Sequence, residues 1–161
     1  MKKLQFAILL LLAVSVQSFG QQIALTFQEA EAKGIPIDKL DSIYRSAVNV
    51  DTSLAVFKTE KEQEAMHQAY VKLLQDFGSF LYTNNFKWEK PTRCFNRIYF
   101  NENGTIDYFL YNFLGMPTDK LTNERQKVFN QLLNKFIINY KFELTSTVKF
   151  AQCSPVTYTP K

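Results

Sequence analysis

The chain has 161 residues, enough to bury one sizeable core, and 46% of them are hydrophobic and 15% aromatic. Its formal charge of +4 includes Lys2 and Lys3; without these two, 17 basic side chains stand against 15 acidic ones. A net charge of +2 after that removal excludes nucleic acid or an anionic membrane surface as a partner argued from charge.

The first segment reads MKKLQFAILLLLAVSVQSFGQQ. Two lysines precede an apolar run from Leu4 to about Val16, and Ser18-Phe19-Gly20 offers small residues where a signal peptidase cuts. Residues 1–20 are therefore expected to be a secretory signal peptide, cleaved before Gln21, with residues 21–161 forming a single exported domain. The run is short for a hydrocarbon core of about 30 Å. An uncleaved membrane anchor is the competing reading, and would be the chain's only membrane contact. No cysteine follows the run, which argues against a lipid anchor.

Beyond the leader the chain reads helix, helix, hairpin, helix, strand. A short helix is predicted over Phe27–Lys33, ended by Gly34. Pro36 and Asp38 open a second, with Leu40, Ile43, Tyr44 and Ala47 on one face. A loop covers 49–53. Thr59 and Glu62 have capping-box spacing at the start of a long helix. Its stripe of Met66, Ala69, Tyr70, Leu73, Leu74, Phe77, Phe80 and Leu81 reads as a core face. Gly78 interrupts it at a cost of about 1 kcal/mol, which suggests a close helix contact or a mild kink.

Two strands flank the turn NENGT at 101–105, where a type I turn with a left-handed glycine leaves a three-residue loop, Glu102–Gly104. Pairing outward from Asn101 and Thr105 places Ile98, Phe100, Ile106, Tyr108 and Leu110 on one face. The other face then carries Phe95, Arg97, Tyr99, Asp107, Phe109, Tyr111 and Phe113. So many adjoining rings left wet would mark a binding surface, so these seven residues form the candidate site unless the chain's own helices cover them. Arg97 and Asp107 are expected within cross-strand reach. A loop at 114–119 and a helix over about Thr122–Asn139 follow. That helix carries Val128, Phe129, Leu132, Leu133, Phe136, Ile137 and Tyr140 on its apolar face. The segment FELTSTVKFAQCSPVTY reads as a last strand that Pro155 stops or bends. The fold class expected is α+β, with N-terminal helices, a hairpin–helix–strand unit and a small antiparallel or mixed sheet packed on helices.

The NENGTID turn, the amphipathic helix and the final strand, over residues 94–158, resemble the C-terminal domain of TonB-type energy transducers. That resemblance implies contact with partner proteins and strand pairing at a sheet edge. It carries no site residues over to this chain, which has no proline-rich spacer and no tyrosine-proline pair near Tyr140.

Cys94 and Cys153 in an exported chain invite a disulfide. If the last strand lies beside the first hairpin strand, the two cysteines approach each other, and a bond would stabilise by about 4 kcal/mol in the chain-entropy model. If it lies beside the second, they sit about 10 Å apart and cannot bond.

No catalytic constellation is legible. His67 is the single histidine, without companions for a metal site. Glu60, Glu62 and Glu64 read as a solvated helix face, Ser42 and Ser79 lack a nucleophile context, and no phosphate-binding glycine motif occurs. No cofactor and no metal are expected. Trp88, among Lys87, Lys90 and Arg93, reads as packing under a loop. The expected function is a non-enzymatic protein-binding or assembly module of the cell envelope, periplasmic or extracellular. It would use the aromatic face or an open strand edge, with an envelope protein or a second copy as partner. The alternative is a periplasmic carrier of an apolar small molecule.

Overall fold

The computed structural model describes residues 22–160 except 117 and 119. The expected signal peptide, 1–20, and its cleavage point before Gln21 lie outside the described residues. Among the described residues no helix is long and apolar enough to cross a membrane.

The elements run β1 (Ile23–Thr26), α1 (Phe27–Ala32), α2 (Ile37–Ile43), β2 (Arg45–Ser46), a 3-10 turn at Thr52–Leu54, α3 (Glu60–Thr83), β3 (Thr92–Phe100), β4 (Ile106–Phe113), α4 (Asn123–Asn139) and β5 (Phe150–Tyr158). One mixed sheet has the order β1-β4-β3-β5-β2. β3 pairs antiparallel with β4 and β5, while β1 runs parallel to β4 and β2 parallel to β5. The class is α+β, as the pattern of elements indicated.

Local chemistry accounts for the element starts. Thr59 accepts a hydrogen bond from the Glu62 N–H, and the Glu62 carboxylate accepts from the Thr59 N–H, closing a capping box at α3. Thr26 and Glu29 repeat the arrangement at α1, and Thr122 caps α4. Gly34 ends the first helical stretch with φ +70. Beyond that glycine α2 is shorter than expected. It stops at Ile43, and the chain turns into β2 beside β5, so Ile43 is left 52% exposed.

The hairpin turn is the expected one. The Asn101 N–H donates to the Thr105 carbonyl at 2.8 Å, and Gly104 takes φ +86. A side chain at Gly104 would meet the Phe142 carbonyl oxygen at 2.6 Å, because residues 142–146 cross over the turn. That crossing removes 142–149 from the expected last strand, which begins only at Phe150.

The face assignment fails two residues past the turn. Tyr99 pairs with Tyr108 and Phe100 with Ile106, so Asp107 is the extra residue of a second bulge. Asp107 and Tyr108 both turn to one face, and every later residue of β4 is inverted relative to the simple alternation. One face carries Cys94, Asn96, Ile98, Phe100, Ile106, Phe109, Tyr111 and Phe113 beneath α3 and α4. The opposite face carries Phe95, Arg97, Tyr99, Asp107, Tyr108 and Leu110 beneath α1 and α2.

β5 does lie beside β3, the order that favoured a disulfide. The register nonetheless pairs Cys94 with Val156 and Cys153 with Arg97. An offset of three residues puts the two thiols on opposite faces and about 10 Å apart along the strand. Both cysteines are free, Cys94 buried and Cys153 exposed, so the expected bond is corrected.

Candidate functional site

The seven residues singled out as a binding surface do not form one. Tyr99, Phe109 and Tyr111 are wholly buried, and Asp107 and Phe113 nearly so. Phe109, Tyr111 and Phe113 belong to the α3/α4 core, where Phe129 meets Tyr111 and Phe113 edge-on at 5.1 and 5.2 Å. Phe95, Arg97, Tyr99 and Asp107 lie on the other face. There Phe27 packs edge-on against Phe95 at 6.2 Å, and Tyr44 against Tyr99 at 5.0 Å. The chain's own helices cover both faces.

Nor do Arg97 and Asp107 pair. Arg97 meets Asp41 of α2, which also accepts a hydrogen bond from the Tyr99 hydroxyl at 3.2 Å. Asp107 accepts from the Tyr44 hydroxyl at 2.7 Å and from Lys149 Nζ at 3.0 Å. Burial first, and the Asp107 carboxylate second, push the Tyr44 hydroxyl's pKa well above its ordinary value. These contacts tie α2 to the sheet, and Asp41, Tyr44 and Arg97 line a recess of about 380 Å³ together with Ser46, Ala151 and Cys153.

The open features lie at the edges of the sheet, and the two edges differ. At the β1 edge, the Asn134 side chain of α4 accepts from the Ala24 N–H at 2.9 Å and donates to the Ala24 carbonyl at 3.1 Å. That amide takes the place of a neighbouring strand. At the other edge β2 pairs only with Phe150 and Ala151, leaving Gln152–Tyr158 paired on one side alone. The Ala47 N–H donates to the Ala151 carbonyl, so the odd residues of β5 point their backbone groups outward. Cys153 and Thr157 therefore present N–H and C=O groups to the edge, the Cys153 carbonyl accepting from the exposed Gln152 Nε2 at 3.3 Å, and Pro155 presents only a carbonyl. Pro155 neither stops nor bends the strand, because its missing N–H falls on the unpaired side.

A cleft of about 660 Å³ adjoins this edge, between α3 and the end of β5. The α3 stripe of Met66, Tyr70, Leu73, Phe77 and Leu81 is buried on the sheet. Val71, Leu74, Gln75, Gly78 and Tyr82 recur three or four positions apart on the flank of the same helix and form one wall. Val156, Thr157 and Tyr158 form the other, with Phe86, Lys87 and Trp88 closing the end. Trp88 stacks on Tyr158 at 4.6 Å with the rings 6° from parallel. A buried chain of hydrogen bonds holds Tyr158: the Cys94 thiol donates to Asn96 Oδ1 at 3.3 Å, and Asn96 Nδ2 donates to the Tyr158 hydroxyl at 3.2 Å. Desolvation pushes the Cys94 thiol up to about 12 and the Tyr158 hydroxyl well above its usual value, so both stay neutral.

Gly78 is the informative residue of the wall. Apart from the backbone of its own helix and its chain neighbours, nothing lies within 4 Å of where its Cβ would stand, and α3 runs through it without a break. The expected close helix contact is thus absent. A glycine inside a helix costs about 1 kcal/mol relative to alanine, and nothing in the packing asks for one here. What it does is keep the cleft open. Lys87 lines the cleft with its Nζ 5.6 Å from the centre of the Tyr82 ring, and no carboxylate of the described residues lines it. The cleft can hold an apolar group beside an unpaired backbone edge.

The remaining candidates scatter. His67 is exposed on α3, as are Glu60, Glu62 and Glu64. Among the described residues no three His, Cys, Asp or Glu side chains gather to hold a metal ion. No protein-family model, curated protein or solved structure matches the chain.

The cleft went unread in the sequence because its parts come from three places, the flank of α3, the loop 86–88 and the end of β5. Two signals were present: a glycine among good helix formers, and Val71 and Tyr82 lying off the main apolar stripe.

Proposed function

We propose that this protein is an exported cell-envelope component that binds other proteins without catalysing a reaction, through the free edge of β5 and the cleft beside it. The observation that carries this reading is the unpaired run Gln152–Tyr158, next to an opposite edge that Asn134 occupies. Unpaired strand edges template the addition of an extended segment, and main-chain bonds supply affinity while an adjoining recess supplies specificity. The charge pattern MKK followed by an apolar run and small residues supports export. The resemblance to TonB-type C-terminal domains agrees with edge pairing.

Replacing Thr157 with proline removes one outward N–H in the same phase as Pro155, which the strand already tolerates. The purified protein is expected to retain named envelope partners in pull-downs, and Thr157→Pro to lose them at unchanged thermal stability. Equal retention by both would defeat the edge reading. The intact mass of the envelope-fraction protein should match a chain starting at or near Gln21.

A carrier of an apolar small molecule is the second reading, because a cleft of about 660 Å³ falls in the range of small-ligand sites. A small molecule released on denaturation, seen as a mass difference between native and denatured protein, would favour it.

A further inference from the structure

We infer that the cleft beside Gly78 is a side-chain socket, and that its occupant is an extended partner segment carrying a large apolar residue with a carboxylate nearby on the Lys87 side. This rests on the edge reading above and adds the chemistry of the segment. Four observations lead there.

A strand added to β5 would bond the outward groups of Cys153 and Thr157 and continue the pleat. Val156, Thr157 and Tyr158 of β5 line the cleft, and Val156 and Tyr158 lie on the face that α3 covers, so side chains of an added strand on that face would fall between β5 and α3. The recess there is floored by the stacked pair Trp88 and Tyr158 and opened by the missing side chain of Gly78. A lining that includes the rings of Tyr82, Phe86, Trp88 and Tyr158 suits a flat or branched apolar residue. Among the described residues Lys87 is the one charged residue lining the cleft, which sets the sign of the neighbouring group. A second copy of this chain is a poor fit: two β5 edges lying antiparallel about Pro155 would face proline with proline and lose both central bonds.

The test uses the chain's single tryptophan, Trp88, as reporter. A phage-displayed random heptapeptide library is selected on the purified protein, and enriched peptides are titrated while Trp88 fluorescence is followed. Expected are peptides sharing a large apolar residue and an Asp or Glu. Gly78→Leu, which fills the recess from a helix position with open space around it, is expected to weaken them by about tenfold to a hundredfold. Lys87→Glu should weaken them by about twofold to fivefold and restore binding when the peptide acid is changed to lysine. Thr157→Pro should also weaken them.

Loss with Thr157→Pro but full binding by Gly78→Leu would keep the edge reading and overturn the socket. Enriched peptides indifferent to all three substitutions, or no enrichment, would overturn both. Quenching of Trp88 by the neutral probe N-phenyl-1-naphthylamine, blocked by Gly78→Leu and untouched by Thr157→Pro, with no peptide enriched, would place a small apolar ligand in the cleft instead. Self-association abolished by Thr157→Pro, again without enriched peptides, would place a second copy there and overturn the proposal.

Discussion

The two faces of the sheet are covered by different means. Under α3 and α4 the contacts are mostly between rings and aliphatic chains, with Phe77, Phe109, Tyr111, Phe129, Phe136 and Tyr158 meeting one another at 5.1–6.4 Å. Under α1 and α2 the buried set is small, namely Leu25, Ala30, Leu40, Tyr44, Tyr99 and Leu110. Helices of six and seven residues cannot bury as much as helices of 24 and 17. The short pair is fastened by polar ties instead, Asp41 to Arg97 and Tyr99, and Asp107 to Tyr44 and Lys149. One sheet is thus held mainly by apolar packing on one face and by polar ties on the other, and the two halves should fail differently.

The largest separation between them is expected in alkali. Six of the eight tyrosines, Tyr44, Tyr70, Tyr99, Tyr111, Tyr140 and Tyr158, have hydroxyls held above their ordinary pKa of 10.0, chiefly by desolvation. A folded-state pKa above the unfolded one means the unfolded chain loses its proton first. The stability this contributes is present in full below pH 10 and is lost as pH rises above it, up through about 12 for Tyr70. Denaturant midpoints should stay level from pH 7 to 9 and fall steeply beyond 10. Tyr44→Phe and Tyr99→Phe should soften the fall more than Tyr70→Phe does, because burial and a neighbouring carboxylate raise the first two hydroxyls further than burial raises the third. The reverse order would break the comparison.

Truncating the centre of each face comes next. Phe129 is wholly buried among six rings, so Phe129→Ala should cost about 3–5 kcal/mol in chemical denaturation and loosen the whole chain. Leu40→Ala should cost about 2–3 kcal/mol, with faster amide exchange confined to α1, α2 and β2. Exchange rising equally in α3 after Leu40→Ala would show the faces to be one cooperative unit.

Removing a polar tie should cost less. Asp107→Asn leaves Lys149 without its carboxylate and forces the Tyr44 hydroxyl to a weaker acceptor, for a loss of about 1–3 kcal/mol. In combination with Tyr44→Phe the losses should fall short of additivity, since both report the same bond. Additive losses would mean that the short helices hold on by burial alone. Smallest is Gly78→Ala, expected to raise stability by up to about 1 kcal/mol, because the added methyl meets open space. A destabilised Gly78→Ala would show that the cleft wall needs glycine for packing.

Much of the fold was legible locally. Thr59 with Glu62, Gly34 and the Asn101–Thr105 turn act through neighbours three or four residues away, and all behave as their spacing indicates. β1 and β2 were not legible. They hold four and two residues, and they are strands only because β4 and β5 lie alongside. The face assignment of the hairpin rested on pairing without interruption from the turn. Asp107 breaks it, because a carboxylate drawn toward Tyr44 and Lys149 settles into a bulge and reverses every residue after it. With the faces regrouped, the proposed aromatic surface became two halves of the core. The site moved to a place where no sequence window joins Gly78, Trp88 and Tyr158.

By itself the sequence determined the class of fold, the long helices with their buried stripes, and the hairpin turn, since each depends on periodicity or on hydrogen bonds within a few residues. Tertiary structure alone decided which face each β4 residue joins, that Cys94 and Cys153 lie on opposite faces three residues out of register, and that one sheet edge is closed by Asn134 while the other stays open beside a cleft. These depend on register between distant strands, where one extra residue exchanges the two faces and three residues of offset part a pair of thiols.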